Sequence, residues 1–283
     1  MSSKLHDTKK DFINRKVLSF FLFLSLILLS ISCVLKGALI NSTMIENKFT
    51  SFAVVSSFRQ DVITFTKDSF LKNGLNDENI DDIISQAKAE NILKSFAAGE
   101  FKSKAGYTKQ SSKQDVEALC SDIKKEIKEQ VKQSGFEENE NAVNKQTQSI
   151  KDFINKQLTL PGTKYIETVI NVGKIGVNIF VGVSVFLVLV FGSMLFFTGK
   201  REYRSIRSIG VSFCSAGFAD LFASIIASII FSVKSIDIYP VFIKKALDAY
   251  ITTSIGAISA CGGCLLLITL VLLAISWKLK RER

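Results

Sequence analysis

The stretch from Ile209 to Val233 reads IGVSFCSAGFADLFASIIASIIFSV and decides the architecture. It exceeds the ~20 predominantly apolar residues that cross a hydrocarbon core and carries one ionisable group, Asp220, near its middle. Working outward, residues 17–40, 174–198 (apolar from Gly176) and 251–277 have the same length and character. The sequence therefore predicts an all-α membrane protein with four transmembrane helices. The long insert between the first two spans predicts an extracytoplasmic domain built as a helical bundle.

Charge fixes the expected orientation. Immediately before the quoted stretch stand Lys200, Arg201, Arg204 and Arg207 against Glu202. Lys4, Lys9, Lys10, Arg15 and Lys16 precede the first span, against Asp7 and Asp11, and Lys278, Lys280, Arg281 and Arg283 follow the last. Four crossings put these three clusters on one side, and short basic segments stay cytoplasmic. The expected layout is a cytoplasmic N-terminus (residues 1–16), span 1 (17–40), an extracytoplasmic domain (41–173), span 2 (174–198), a basic loop (199–208), span 3 (209–233), an extracytoplasmic interfacial loop (234–250), span 4 (251–277) and a cytoplasmic tail (278–283). The implied location is a cell membrane, with the bilayer as first partner.

The formal net charge of +10 would suggest nucleic acid in a soluble protein. Residues 41 to 172 carry acids and bases in nearly equal number, so the excess belongs to the membrane flanks and no nucleic-acid face is expected. Mean hydropathy of +0.27 and 47% hydrophobic residues agree with a membrane protein. Of the cysteines, Cys33, Cys214, Cys261 and Cys264 fall in spans and Cys120 stands alone in the exterior segment, which must fold by packing without disulfides. Frequent Lys, Asn, Ile and Phe suit a bacterial chain. The N-terminal run is read as an uncleaved anchor, because Leu29-Ser30-Ile31-Ser32 places leucine one position too early for lipidation at Cys33.

In the exterior segment Ile45, Phe49, Phe52, Val55, Phe58, Val62 and Phe65 recur at helical spacing. After a break at Gly74 and Asn76, a second helix carries Ile80, Ile83, Ile84, Ala87, Leu93 and Phe96 inward. Residues 99–112 read as a loop. Val116, Leu119, Ile123, Ile127 and Val131 mark a third helix ending at Gly135. Val143, Ile150, Phe153, Ile154 and Leu158 mark a fourth, and from Tyr165 a helix is expected to run unbroken into span 2.

Asp220 is the sharpest candidate, since an ionisable group at mid-membrane costs several kcal/mol unless neutralised, paired or hydrated. Ser30, Ser184, Ser224, Cys264 and Thr269 are candidate neighbours, and no basic residue lies in the middle of a span to neutralise it; Lys36 and Lys174 stand at the outer ends of spans 1 and 2. Ala216, Ala223 and Ala227 in span 3 and Gly256, Ala260 and Gly263 in span 4 form small faces suited to close helix packing or to assembly of a homo-oligomer or partner complex. Cys261 and Cys264 have C-x-x-C spacing, but a thiolate needs solvent that an apolar span excludes.

Asp77-Glu78-Asn79-Ile80-Asp81-Asp82 departs from a calcium loop at Asp82 and Lys88, so its acids are read as stabilising a helix start. Leu160-Pro161-Gly162-Thr163-Lys164 resembles a sortase sorting signal, except that Lys164 replaces the glycine and two spans follow; a helix-to-helix turn is the expectation. His6, in the N-terminal tail, is the only histidine, so neither a histidine-based triad nor a multi-histidine metal site is expected. No cofactor, metal or enzymatic activity is expected. Two readings lead, a binding, sensing or scaffold protein and a transporter, channel or accessory subunit using Asp220; an enzyme comes third.

Overall fold

The computed structural model describes residues 2–39, 41–101, 109–134, 139–159, 163–198, 202–231 and 239–281. The expected turns at Gly135 and at residues 160–162, the acids Glu137 and Glu138, and the basic residues Lys200 and Arg201 lie outside this set. Ten α-helices follow in order: α1 Ser2–Val34, α2 Ser42–Phe49, α3 Phe52–Lys72, α4 Ile80–Ile83, α5 Gln86–Phe101, α6 Lys109–Gln133, α7 Glu140–Gln157, α8 Thr163–Phe197, α9 Glu202–Ile230 and α10 Val241–Arg281. A π-type turn, Leu35–Leu39, extends α1. No strand occurs among the described residues. Four helices have the length and apolarity to cross a membrane, within Ile13–Gly37, Ile175–Phe197, Glu202–Ile230 and Val241–Arg281. The chain is an all-helical membrane protein.

The chain divides into two compact units, one of residues 1–41, 172–232 and 251–283 and the other of 42–171 and 233–250. In the first, here the span unit, α1 packs on α9 around Leu22, Leu26, Ala216 and Leu195 of α8. Polar contacts supplement this seam: Ser19 and Ser212 hydroxyls lie 2.6 Å apart, and those of Ser32 and Ser184 3.3 Å apart. Phe21 stacks on Phe191 at 5.3 Å. Ile179, Phe186, Leu189, Phe222, Ile229 and Leu270 point outward and exposed, a surface that hydrocarbon solvates and water would not.

The second, the bundle unit, is a water-type fold with an aliphatic and aromatic core. Helices α3, α5, α6 and α7 pack through Val55, Phe58, Val62, Leu93, Phe96, Leu119, Ile123, Ile127, Ile150 and Ile154, all nearly inaccessible. Phe65 and Phe153 stack at 4.0 Å. Gly74, at φ +70°, closes α3 in the left-handed region, and Leu75 donates to the Phe70 carbonyl in the Schellman pattern. The Asn139 side chain accepts from Ala142 N at 3.2 Å and caps α7.

Several helix expectations shift here. The long first helix is broken at Ser51, which is extended (φ −65°, ψ 143°); the phase resets and Phe52, expected inward, is 78% exposed. The second expected helix splits into α4 and α5. Arg59 Nε donates to Ile84 O at 2.6 Å and Nη2 to Asp81 O at 2.7 Å, while Lys88 Nζ donates to Ile83 O at 3.0 Å. These cations take carbonyls that a continuing helix would otherwise bond, and the break turns Ala87 outward while Ala89 and Ile92 face in. Helix α5 continues through Gly99 to Phe101 and α6 starts at Lys109, so the expected loop narrows to 102–108, outside the described residues. Asp81 pairs with Lys67, and the Asn79 amide donates to Glu126 at 3.0 Å. These protein contacts occupy the segment that partly imitates a calcium loop.

The segment read as an interfacial loop over 234–250 is helical from Val241 onward, because Pro240 suits a helix start and its carbonyl accepts from Ile243 N. Its opening turns belong to the bundle unit. Phe242 is fully buried edge-on to Phe58 at 5.3 Å, and Gln157 donates to the Tyr239 hydroxyl at 2.9 Å. Phe242→Ala is expected to weaken the bundle unit by about 3–5 kcal/mol, read as faster hydrogen exchange along α3.

Asp61 is a second test of this core. Burial holds its carboxyl above the ordinary carboxylate range, partly offset by Lys245, and its Oδ2 has no hydrogen-bond partner. A raised folded value contributes stability below the unfolded value and loses it as pH rises through the folded one. Asp61→Asn should therefore raise the unfolding temperature at neutral pH, with the gain vanishing as pH falls to about 4.

Candidate functional site

Helix α9 carries Asp220 about 16 Å along its axis from Ile209, eleven residues at ~1.5 Å each, a distance about half the ~30 Å thickness of a hydrocarbon core. Its side chain is 4% exposed. The alternation of serine, alanine and glycine around it keeps the surrounding face low, so α1 and α10 close over it. Ser30 of α1 hydrogen-bonds the carboxyl, and Oδ2 is left without a partner.

Two glycines bring α9 and α10 together at this level. A Cβ on Gly217 would lie 2.9 Å from Gly262 O and 2.9 Å from Leu266 Cγ; one on Gly262 would lie 2.8 Å from Gly217 O and 3.1 Å from Asp220 Cβ. Neither position has room for a larger side chain, since the nearest atoms are backbone. The backbones cross in direct contact beside the carboxyl. Cys261 lies in the neighbourhood of Asp220, Cys33 and Cys264.

The other candidates are distributed as follows. Ala216 is fully buried at the α1 seam, and Ser224 is buried with its hydroxyl on Leu221 O at 2.8 Å. Ser184 donates to Phe180 O at 2.8 Å and neighbours Ser32, not Asp220. Thr269 sits toward the basic end, bonding Leu265 O at 2.9 Å and Gly210 O at 3.4 Å. Ala223 and Ala260 are exposed and Ala227 half-buried. Gly256 and Gly263 have open space where a Cβ would stand. Close packing thus runs through Gly217 and Gly262, while the stripe of Gly256, Ala260 and Gly263 is turned from this contact. Cys264 is exposed and Cys261 half-buried, both as free thiols.

Sequence spacing missed the choice of glycine on α10. Gly262 and Gly263 are adjacent and face ~100° apart, so small-residue spacing offers either register. Depth does not separate them either, because neighbours on a helix differ by only ~1.5 Å in height.

Chemically, a carboxyl with one oxygen held by a hydroxyl and the other unengaged can carry a proton or accept a hydrogen bond from an approaching donor. The fold and this site define a helical membrane protein with four membrane-length helices and a polar centre inside its span unit. No protein-family model, no curated protein and no solved structure matches the chain.

Gly262→Val is expected to force α9 and α10 apart and cost about 1–3 kcal/mol or more, whereas Gly263→Ala should stay within about 0.5 kcal/mol. Unfolding of the detergent-solubilised chain measures both; equal losses would show that Gly262 has no special place.

Proposed function

We propose that the chain is a non-enzymatic binding, sensing or scaffold protein of a cell membrane, acting through its bundle unit in an oligomer or larger membrane complex. In this reading both termini are cytoplasmic and the bundle unit is extracytoplasmic. Support for the orientation comes from Arg15, Lys16, Arg204, Arg207 and Lys280, which three helices bring to one recess of the span unit.

The observation that carries the binding reading is the dual use of α10. This single helix supplies Phe242 to the bundle core and Gly262 to the contact beside Asp220. A partner that shifts the bundle's first turn of α10 thereby acts on an element of the polar centre. The test is in-membrane cross-linking from bundle-unit positions such as Leu71 and from positions flanking Asp220, with the captured species identified by mass. A specific partner or a second copy is the expected result; a lone monomer in its native membrane would overturn the reading.

A second reading is favoured by the unpartnered Oδ2 of Asp220: a transporter, channel or accessory subunit in which this carboxyl carries a proton or ion. Asp220→Asn separates the two. Assembly through hydrogen bonding is expected to survive the amide, with the same cross-links at similar yield. Proton or ion movement across proteoliposomes would be abolished, and any such movement dependent on Asp220 would make the second reading the correct one.

A further inference from the structure

The span unit contains a recess of ≈ 760 Å³ whose walls come from three helices. Arg15 and Lys16 of α1, Arg204 and Arg207 of α9 and Lys280 of α10 all line it, and no carboxylate does so among the described residues.

Orientation of the chain does not require this arrangement. Short basic segments act as topology signals wherever their side chains point, so convergence of charges from three separate segments into one concavity needs its own explanation. Like charges held together repel, and an anion seated among them relieves that repulsion. Arginine presents a planar fork that matches phosphate oxygens. The Arg204 guanidinium is already oriented, with Nε on the Tyr203 hydroxyl at 3.1 Å and Cζ 5.8 Å from that ring's centroid.

The rest of the recess suits an amphiphile better than a free ion. Val211 and Leu273 give it apolar wall, and the exposed Trp277 lines it as an interfacial aromatic. Helices α9 and α10 are tied beside it by Ser276 donating to Tyr203 O at 2.8 Å, and α1 and α9 by Ser212 donating to Ser19 O at 2.9 Å. The basic groups therefore ride on helices locked to one another.

The geometry points to a binding site for the phosphate headgroup of an anionic phospholipid, with the cations on the phosphate and the glycerol and upper acyl chain along Val211 and Leu273. This assignment is independent of which partner the bundle unit binds and of the role of Asp220.

Trp277 is the only tryptophan in the chain and lines the recess, so its emission reports on the site directly. The full chain in neutral detergent is titrated with mixed micelles of phosphatidylglycerol, of phosphatidylcholine, or with inorganic phosphate alone. A saturable change with phosphatidylglycerol and none with phosphatidylcholine is expected. Arg207→Gln should weaken binding by roughly tenfold, while Lys278→Gln, which removes the same charge outside the recess, should change it by at most about twofold.

Equal weakening by the two variants would mean diffuse surface attraction and would overturn the site. A response to inorganic phosphate matching that to the lipid would show a free-anion site and overturn the lipid assignment. No difference between the two phospholipids in the unmodified chain would overturn the proposal without reference to any variant.

Discussion

A peptide group surrounded by hydrocarbon has no water to bond, so every N–H and C=O of a span must be satisfied within the segment or by a close neighbour. The span unit follows from that demand. Its helices are long and continuous, their outer surfaces apolar, and their mutual contacts cannot rely on hydrophobic exclusion because lipid is as apolar as leucine. Specificity passes to small and hydroxylic residues. Ser19 meets Ser212, Ser32 meets Ser184, Ser30 meets Asp220, and Gly217 meets Gly262. Ser25 and Thr269 return their hydroxyls to carbonyls four residues back, which lets a polar side chain sit in a span at little cost. The bundle unit obeys the opposite rule, gathering Phe58, Phe70, Phe242 and a set of isoleucines into an interior that water would penalise if opened.

Periodicity and run length made the spans and most helices of the bundle unit readable. Each is a property of ten or more residues, and a few dissenting positions do not alter it. The faces were readable wherever a helix was uninterrupted: Val116, Leu119, Ile123 and Ile127 all point inward along α6. Legibility failed at the interruptions. Nothing in the local sequence says that Arg59, about 25 residues upstream in the chain, will bind the carbonyls of Asp81 and Ile84 and divide a helix there. Cys120 shows the converse, a residue readable as isolated whose character depends on tertiary burial, which pushes its thiol up to about 11 and keeps it a packing group.

The polar centre was half readable for a related reason. An acid in a span marks itself, so Asp220 stood out from charge alone, and Ser30 was accessible by counting depth. Which glycine of an adjacent pair faces the neighbouring helix is a matter of rotation about the helix axis. Rotation is decided by the sum of contacts along α10, among them Thr269 on Gly210 O and Ser276 on Tyr203 O, each too weak and too distant in sequence to be read singly.

The insertion of Phe242 into the bundle, with the exposed Tyr239 bonded at its surface, has a consequence for how the protein is made. Residues 42–171 are synthesised long before residues 233–250, with two membrane-length helices between them. Until the later segment emerges, the ring of Phe58 lacks its partner and Gln157 lacks the Tyr239 hydroxyl. The nascent bundle is therefore an open form that closes only when α10 has been delivered, which ties maturation of this unit to successful insertion of the spans that precede it. Chains arrested after α9 would present an unfinished apolar surface to the chaperones and proteases that survey unassembled membrane proteins.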